Sequence, residues 1–271
     1  YPGKNSTISE INIFNNNLNT DNEIFINLKS SLLAKGFPLI DNRLFYKNYS
    51  IEFKTLIRPK LNIKLDKPNK EILKETNLIK ENILIIGCSS GIGNDLLKLF
   101  LNNKKIKIIG TYYKNKINEN RNNLIVKKIN IETDLMAIYK IIEKFEPIII
   151  YYFPTPKIFF NQINDKNIVE LYKKYFIHIP IKIIKYASNF RSKFFYPSTT
   201  YTNSISPYSL IKLKAENEIS KLRKLKTKIN ILKIPGVNTK QNLSLISGKL
   251  PNFRDLIARD KKILNKVFFK N

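Results

Sequence analysis

The chain has 271 residues, 43% of them hydrophobic, and carries 48 Lys and Arg against 21 Asp and Glu, a formal net charge of +27. That apolar content excludes general disorder and suffices for one sizeable core with a smaller attachment. A single cysteine, Cys88, and a single histidine, His178, exclude an intrachain disulfide and a Cys/His zinc site.

No nucleophile turn accompanies His178, so a Ser-His-Asp triad is not expected, nor is a metal; His178 is expected on a helix near a sheet. The charge would ordinarily point to nucleic acid or an anionic membrane. Its lysines, however, are scattered, as in Lys104-Lys105, Lys127-Lys128, Lys173-Lys174 and Lys261-Lys262, without a long basic run. No specific nucleic-acid partner is expected. The longest apolar runs, Ile83 to Ile86 and Ile148 to Phe153, fall far short of the ~20 residues that span a bilayer. No charged and apolar leader opens the chain, and its start at Tyr1 suggests a fragment or a processed chain. The expectation is a cytoplasmic protein without membrane insertion.

In chain order, residues 1–65 read as β-rich: Ile11 to Phe14, Glu23 to Leu28, Arg43 to Tyr46 and Ile51 to Ile57 are strand-like runs between Asn-rich and Gly/Pro turns, with helical periodicity only around Ser30 to Lys35. Residues 66–82, with Pro68 and many charges, read as a linker. From residue 83 to 271 a single domain is expected. Ile83 to Ile86, Ile106 to Tyr112, Leu124 to Asn130, Pro147 to Phe153, Lys193 to Tyr196 and Ile229 to Ile234 are strands with helical patterns between them. That alternation predicts an α/β fold, a Rossmann-type doubly wound parallel sheet, with a small β-rich N-terminal segment. Ligands of such sheets sit at the carboxyl ends of the strands.

The first of these strands stops at Gly87-Cys88-Ser89-Ser90-Gly91-Ile92-Gly93 and is followed by a helical stretch. Glycines suit such a turn because a Cβ would obstruct the backbone's approach to a pyrophosphate and the helix's seat on the sheet, while the helix's free N–H groups attract an anion. A dinucleotide is expected there, held by Gly87, Ser89, Ser90, Gly91, Ile92 and Gly93. After the second strand, where an acid would bond the ribose hydroxyl of NAD, the chain has Thr111-Tyr112-Tyr113-Lys114. A cation suits a 2′-phosphate, so Lys114 favours NADP over NAD. Further along, Ser198 and Thr199 precede Tyr208 and Lys212, which stand four residues apart and share one face of a helix. Reducing a carbonyl by hydride leaves an alkoxide that must be protonated, and a Tyr with its ordinary pKa near 10 serves better if a nearby cation lowers it. Lys212 would be that cation, and a hydroxyl from Thr199 or Ser198 would hold the carbonyl oxygen in line.

At these residues the chain resembles the short-chain dehydrogenase/reductase family, through Gly87-Cys88-Ser89-Ser90-Gly91-Ile92-Gly93, Ser198-Thr199, Tyr208-Ser209-Leu210-Ile211-Lys212 and Ile234-Pro235-Gly236-Val237-Asn238-Thr239, in order over residues 83 to 240. The resemblance implies Tyr208 as acid/base, Lys212 as its activator, Thr199 ahead of Ser198 as carbonyl positioner, Asn130 near the adenine, and Pro235, Gly236 and Thr239 closing over the nicotinamide. It implies an NADP-dependent oxidoreductase that reduces a keto group or oxidises the alcohol, acting on a small-molecule carbonyl or acyl thioester, with a homo-oligomer compatible. Two features depart from the family. The fourth strand runs into Pro154-Thr155-Pro156 where the family has Asn-Ala-Gly, and Tyr172 to His178 offers no Asn for a proton relay. Residues 1–65 resemble part of a hot-dog domain of the acyl-thioester dehydratase type without its His, which nudges the substrate toward a 3-oxoacyl group. The alternatives are a sugar-nucleotide epimerase or dehydratase, and a non-catalytic cofactor-binding scaffold.

Overall fold

The computed structural model describes residues 6–15, 27–34, 37–46, 49–57, 70–158, 165–201, 206–237, 239 and 250–270. The chain forms two compact units, and the larger holds residues 63–241 and 250–271. In the smaller unit, β1 (Ser6–Asn15), β2 (Asn27–Ala34), β3 (Phe37–Tyr46) and β4 (Tyr49–Ile57) form an antiparallel sheet in the order β1-β4-β3-β2. The β-rich reading of the N-terminal segment thus meets a sheet. The helical periodicity read at Ser30 to Lys35 is corrected: Ser30 to Ala34 lie in β2, where backbone pairing with β3, from Asn27↔Phe45 to Ala34↔Phe37, overrides a short local pattern. Lys35, and Glu23 to Ile26 of the expected second strand, lie outside the described residues.

The larger unit begins with α1 (Lys70–Leu78), inside the segment read as a linker; residues 66–69 lie outside the described part. Lys70, Glu71 and Lys74 are exposed while Ile72, Glu75 and Thr76 are buried. Its last carbonyls are satisfied from elsewhere in the chain, by Asn103 Nδ2 donating to Thr76 O at 2.6 Å and Ile79 O at 2.9 Å. The Lys270 ammonium also reaches buried Glu75 at 2.5 Å. These distant partners are why a charged stretch folds as a docked helix.

Then come β5 (Ile83–Ile86), α2 (Gly91–Phe100), β6 (Ile108–Tyr112), β7 (Leu124–Lys128), α3 (Leu135–Phe145), β8 (Ile149–Tyr152), α4 (Lys166–Lys173), a π-helical turn Lys174–His178, α5 (Ile179–Ala187), β9 (Lys193–Thr199), α6 (Pro207–Lys221), β10 (Ile229–Ile234), α7 (Phe253–Arg259) and α8 (Lys261–Val267). The six strands β5 to β10 pair in parallel in the order β10-β9-β8-β5-β6-β7. Helices cover both faces, the doubly wound arrangement expected from the sequence. Period-2 alternation sorts the core: Ile83 and Ile85 face the layer with α1, α2, α7 and α8, while Leu84 and Ile86 face the layer with α3 to α6. Buried on both sides, β5 and β8 read as unbroken apolar runs. His178 sits on the π turn and is exposed, so the expected seat near the sheet is corrected. Among the described residues no helix is long and apolar enough to cross a membrane.

The chain winds outward from β5 first through β6 and β7 and then, in the other direction, through β8, β9 and β10, so the order reverses between β5 and β8. Crevices at such a reversal, outside the carboxyl ends of the strands, are where open α/β sheets bind ligands.

Candidate functional site

The glycine turn lies at that reversal, between β5 and the start of α2. Gly87 has φ +76°, and a Cβ there would stand 2.9 Å from Pro154 N, so the chain leaving β8 lies directly against the turn. A Cβ on Gly93 would strike Gly87 O at 2.5 Å, which is how closely α2 is seated on the turn. Thr111, at the end of β6, pins the turn from the side by accepting from Gly87 N at its hydroxyl, 3.1 Å, and from Cys88 N at its carbonyl, 3.0 Å. Ser90 is the N-cap of α2 but makes no side-chain capping bond, so its hydroxyl leaves the first helical N–H groups to other acceptors. Ser89 is half-buried, Ser90 exposed, and Ile92 packs on the core beneath. A tight turn with no room for a Cβ at Gly87 or Gly93, and with helix N–H groups at its rim, fits the pyrophosphate of a dinucleotide.

The structure brings Thr239 to this turn: its Cγ2 lies 3.6 Å from where a Gly91 Cβ would be. Pro235 and Gly236 follow β10 at the same edge of the sheet, and Gly236 meets the Tyr201 hydroxyl, 2.5 Å from its absent Cβ. Asn238 lies outside the described residues. Lys114 is exposed just beyond β6, its Nζ 5.9 Å from the Tyr113 ring centre. Asn130 follows β7, and its Oδ1 accepts from Glu132 N at 3.2 Å, closing its own turn. That bond gives Asn130 a local structural job in addition to the one the family resemblance implies.

The second half of the site is built on β9 and α6. In β9 the odd residues face β8, and β8 ends its pairing at Tyr151↔Phe195. Pro197 therefore costs no ladder bond, and its carbonyl, past the end of β8, accepts from Lys212 Nζ at 2.8 Å. Ser198 and Thr199 end the strand and, by its alternation, part company. Thr199 stands beside the Tyr208 phenol, whose titration it lowers, and accepts from Tyr201 N at 3.1 Å. Ser198 donates instead to Glu216. The start of α6 is fixed by its cap: Ser206 Oγ accepts from Ser209 N at 3.2 Å, Pro207 occupies the first turn, and Ser209 Oγ donates to Tyr201 O at 2.6 Å. Both bonds flank Tyr208. The structure thus joins Thr199, Tyr208 and Lys212 and turns Ser198 away.

Lys212 is buried in an aromatic enclosure, its Nζ 4.1 Å from the Phe176 ring centre, 4.8 Å from Tyr196 and 6.0 Å from Tyr208. Phe176 belongs to the π turn, a widened turn of the kind often found at functional sites. Tyr152 and Tyr196 donate their hydroxyls to the carbonyls of Tyr175 and Phe176, at 2.6 and 3.0 Å. Where the sequence offered no relay Asn, the structure has this tyrosine-braced turn.

Burial dominates the titration of the pair. It pushes the Tyr208 phenol up to about 12, against the pull of Thr199 and with help from Tyr172, and pulls the Lys212 ammonium down to about 7, against the charge of Glu216. The sequence expectation is that Lys212 lowers the tyrosine; burial, shared by both groups, is the larger influence on each, and one of the three ammonium N–H groups donates to Pro197 O. Tyr208 is therefore protonated at neutral pH. Sequence reasoning missed Glu216, which continues the stripe of Tyr208 and Lys212 by four more residues and was legible as such, and Tyr196, Phe176 and Tyr201, which only the fold brings near.

No family model matches the chain. No curated protein matches it either. Solved structures do. A short-chain dehydrogenase from Leptospira borgpetersenii with bound NAD+ is 14% identical, with 72% of this chain and 87% of that one covered at a TM-score of 0.57. A short-chain dehydrogenase from Burkholderia cenocepacia in complex with NADP is 9% identical, with 72% and 100% covered at 0.53. A short-chain dehydrogenase family protein from Francisella tularensis is 19% identical, with 60% and 73% covered at 0.52. Of a UDP-glucose 4-epimerase from Thermotoga maritima, 18% identical at a TM-score of 0.48, the chain spans 54%. The class defined here is a doubly wound α/β protein whose larger unit has the fold of short-chain dehydrogenases.

Proposed function

We propose that the chain is an NADP-dependent oxidoreductase that reduces a keto group. The observation that carries this is the junction of the Tyr208 phenol with the Thr199 hydroxyl, one helical turn from buried Lys212, on the sheet edge that also holds the glycine turn. A nicotinamide dinucleotide, when bound, supplies the hydride. The chain's own residues then have three tasks. Gly87 to Gly93 and Thr239 hold the dinucleotide, with Lys114 beside a 2′-phosphate. Thr199 orients the carbonyl oxygen toward Tyr208. Tyr208, protonated at neutral pH, donates its proton to the developing alkoxide. Resemblance of residues 1–65 to a hot-dog segment supports an acyl thioester such as a 3-oxoacyl group as substrate.

A screen of carbonyl compounds followed by NADPH absorbance tests the reading. Tyr208→Phe, which removes one hydroxyl, should cut kcat by roughly 100-fold or more while leaving NADPH affinity unchanged; a variant as fast as the parent on a confirmed substrate would sink it. The second reading, a dinucleotide-binding scaffold, is favoured by Pro154 lying against Gly87, and tight NADPH binding without turnover of any carbonyl would select it.

A further inference from the structure

Tyr208, Lys212 and Glu216 stand at i, i+4 and i+8 on α6, one stripe aimed at the last residues of β9. Each meets a different one: Tyr208 stands beside Thr199, Lys212 donates to the Pro197 carbonyl, and Glu216 accepts from Ser198. The Glu216 carboxylate is fixed from its other side by Lys233 of β10, 3.3 Å from Oε2, with 14% of its side chain exposed. It is therefore a held charge rather than a mobile surface acid.

The neighbours of Lys212 make that charge matter. From the π turn it is faced by Phe176, from β9 by Tyr196 and the Pro197 carbonyl, and from its own helix by Tyr208 and Glu216. Lys233 on β10 acts on it through Glu216. Three rings and a neutral carbonyl can solvate an ammonium in part; among the described residues the anion that raises its titration is Glu216.

We propose that Glu216 is a positioning residue of this site: anchored by Ser198 and Lys233, it supplies the counter-charge that holds Lys212 as an ammonium beneath Tyr208 and clamps the end of β9 to α6. The inference deepens the reductase reading and rests on it for its catalytic meaning. It gives Ser198 a task as well, as the anchor of Glu216 rather than as a carbonyl positioner. The burial that pulls Lys212 down to about 7 makes the effect measurable, because small changes in the field move its charge across neutral pH.

The test uses the full chain labelled with 13C at the lysine ε-carbons, the Lys212 signal being assigned by its loss in Lys212→Arg. Glu216→Gln keeps an acceptor for Ser198 and removes only the charge. Lys212 should then titrate about one unit or more below its position in the parent. Glu216→Asp, one methylene shorter, should fall between the two; should the Gln variant not fold, a parent-like titration in the Asp variant overturns the proposal, as does an unchanged titration in Gln. On a confirmed substrate the high-pH limb of kcat should move to lower pH by the same interval with KM unchanged, whereas a merely structural role would lower stability and leave the limb in place. If Tyr208→Phe retains full turnover while the lysine titration shifts, the reductase reading falls and the coupling stands; the reverse pattern removes the coupling alone.

Discussion

Neighbouring strand residues point to opposite faces, so Ser198 and Thr199 cannot both serve one reacting atom. Thr199 touches Tyr208 and Ser198 touches Glu216. Thr199→Ala should accordingly cut kcat about 100-fold, in the range for losing one donor to a developing oxyanion, while Ser198→Ala should cost less than about 10-fold, both measured as steady-state NADPH oxidation on one substrate. Equal losses would show that the strand end relaxes enough to exchange the two hydroxyls. The sequence left that choice open because polarity and position are the same for both residues; only the register of β9 against α6 separates them. Tyr208 and Lys212 were legible from their spacing. Their protonation was not, since it depends on how much water Phe176, Tyr172 and Tyr196 exclude, and those side chains arrive from elements 12 to 40 residues upstream.

Among the elements, the pairing of α2 with α7 carries a titrating charge. Asp95 is buried on α2 and its Oδ2 accepts from Phe253 N, at the start of α7, at 3.3 Å. Burial lifts its carboxyl to about 6, against the pull of that bond and of Arg254 and Lys98. The folded state therefore favours the neutral acid. Its contribution to stability is complete below pH ~4 and is lost as pH rises toward about 6, above which the fold carries a buried anion worth roughly 2–3 kcal/mol of destabilisation. Asp95→Asn keeps an acceptor for Phe253 and removes the charge. It should raise Tm by several degrees at pH 7.5 and by almost nothing near pH 4 in paired thermal melts. The six parallel strands were readable because apolar runs and helical periods alternate from residue 83 onward. What escaped was α1, whose buried stripe is too narrow to show among Lys and Glu, and β2, whose pairing partner, β3, decides its state. In both, contacts from elsewhere in the chain outweigh the local pattern.

At the scale of the whole molecule, the charge of +27 is an energetic load. Scattered lysines repel one another over the Debye length, about 30 Å at 0.01 M salt and about 10 Å at 0.1 M, so folding compresses a field that added salt relaxes. Tm should rise by several degrees between roughly 0.01 M and 0.3 M sodium chloride, read by circular dichroism at constant pH; a Tm that falls or stays level would mean that local ion pairs such as Lys270 with Glu75 govern instead. The strand order has a consequence in time. The glycine turn belongs to the half that runs β5, β6, β7, and Tyr208 to the half that runs β8, β9, β10; the halves meet along one ladder, Ile83↔Ile149 to Ile86↔Tyr152, which closes a long loop. Non-local parallel pairing of this kind is slow to form and is stable only once its flanking layers are in place. A chain that has gathered both halves of the crevice has finished folding its sheet, so capture of a dinucleotide would report the completion of the fold.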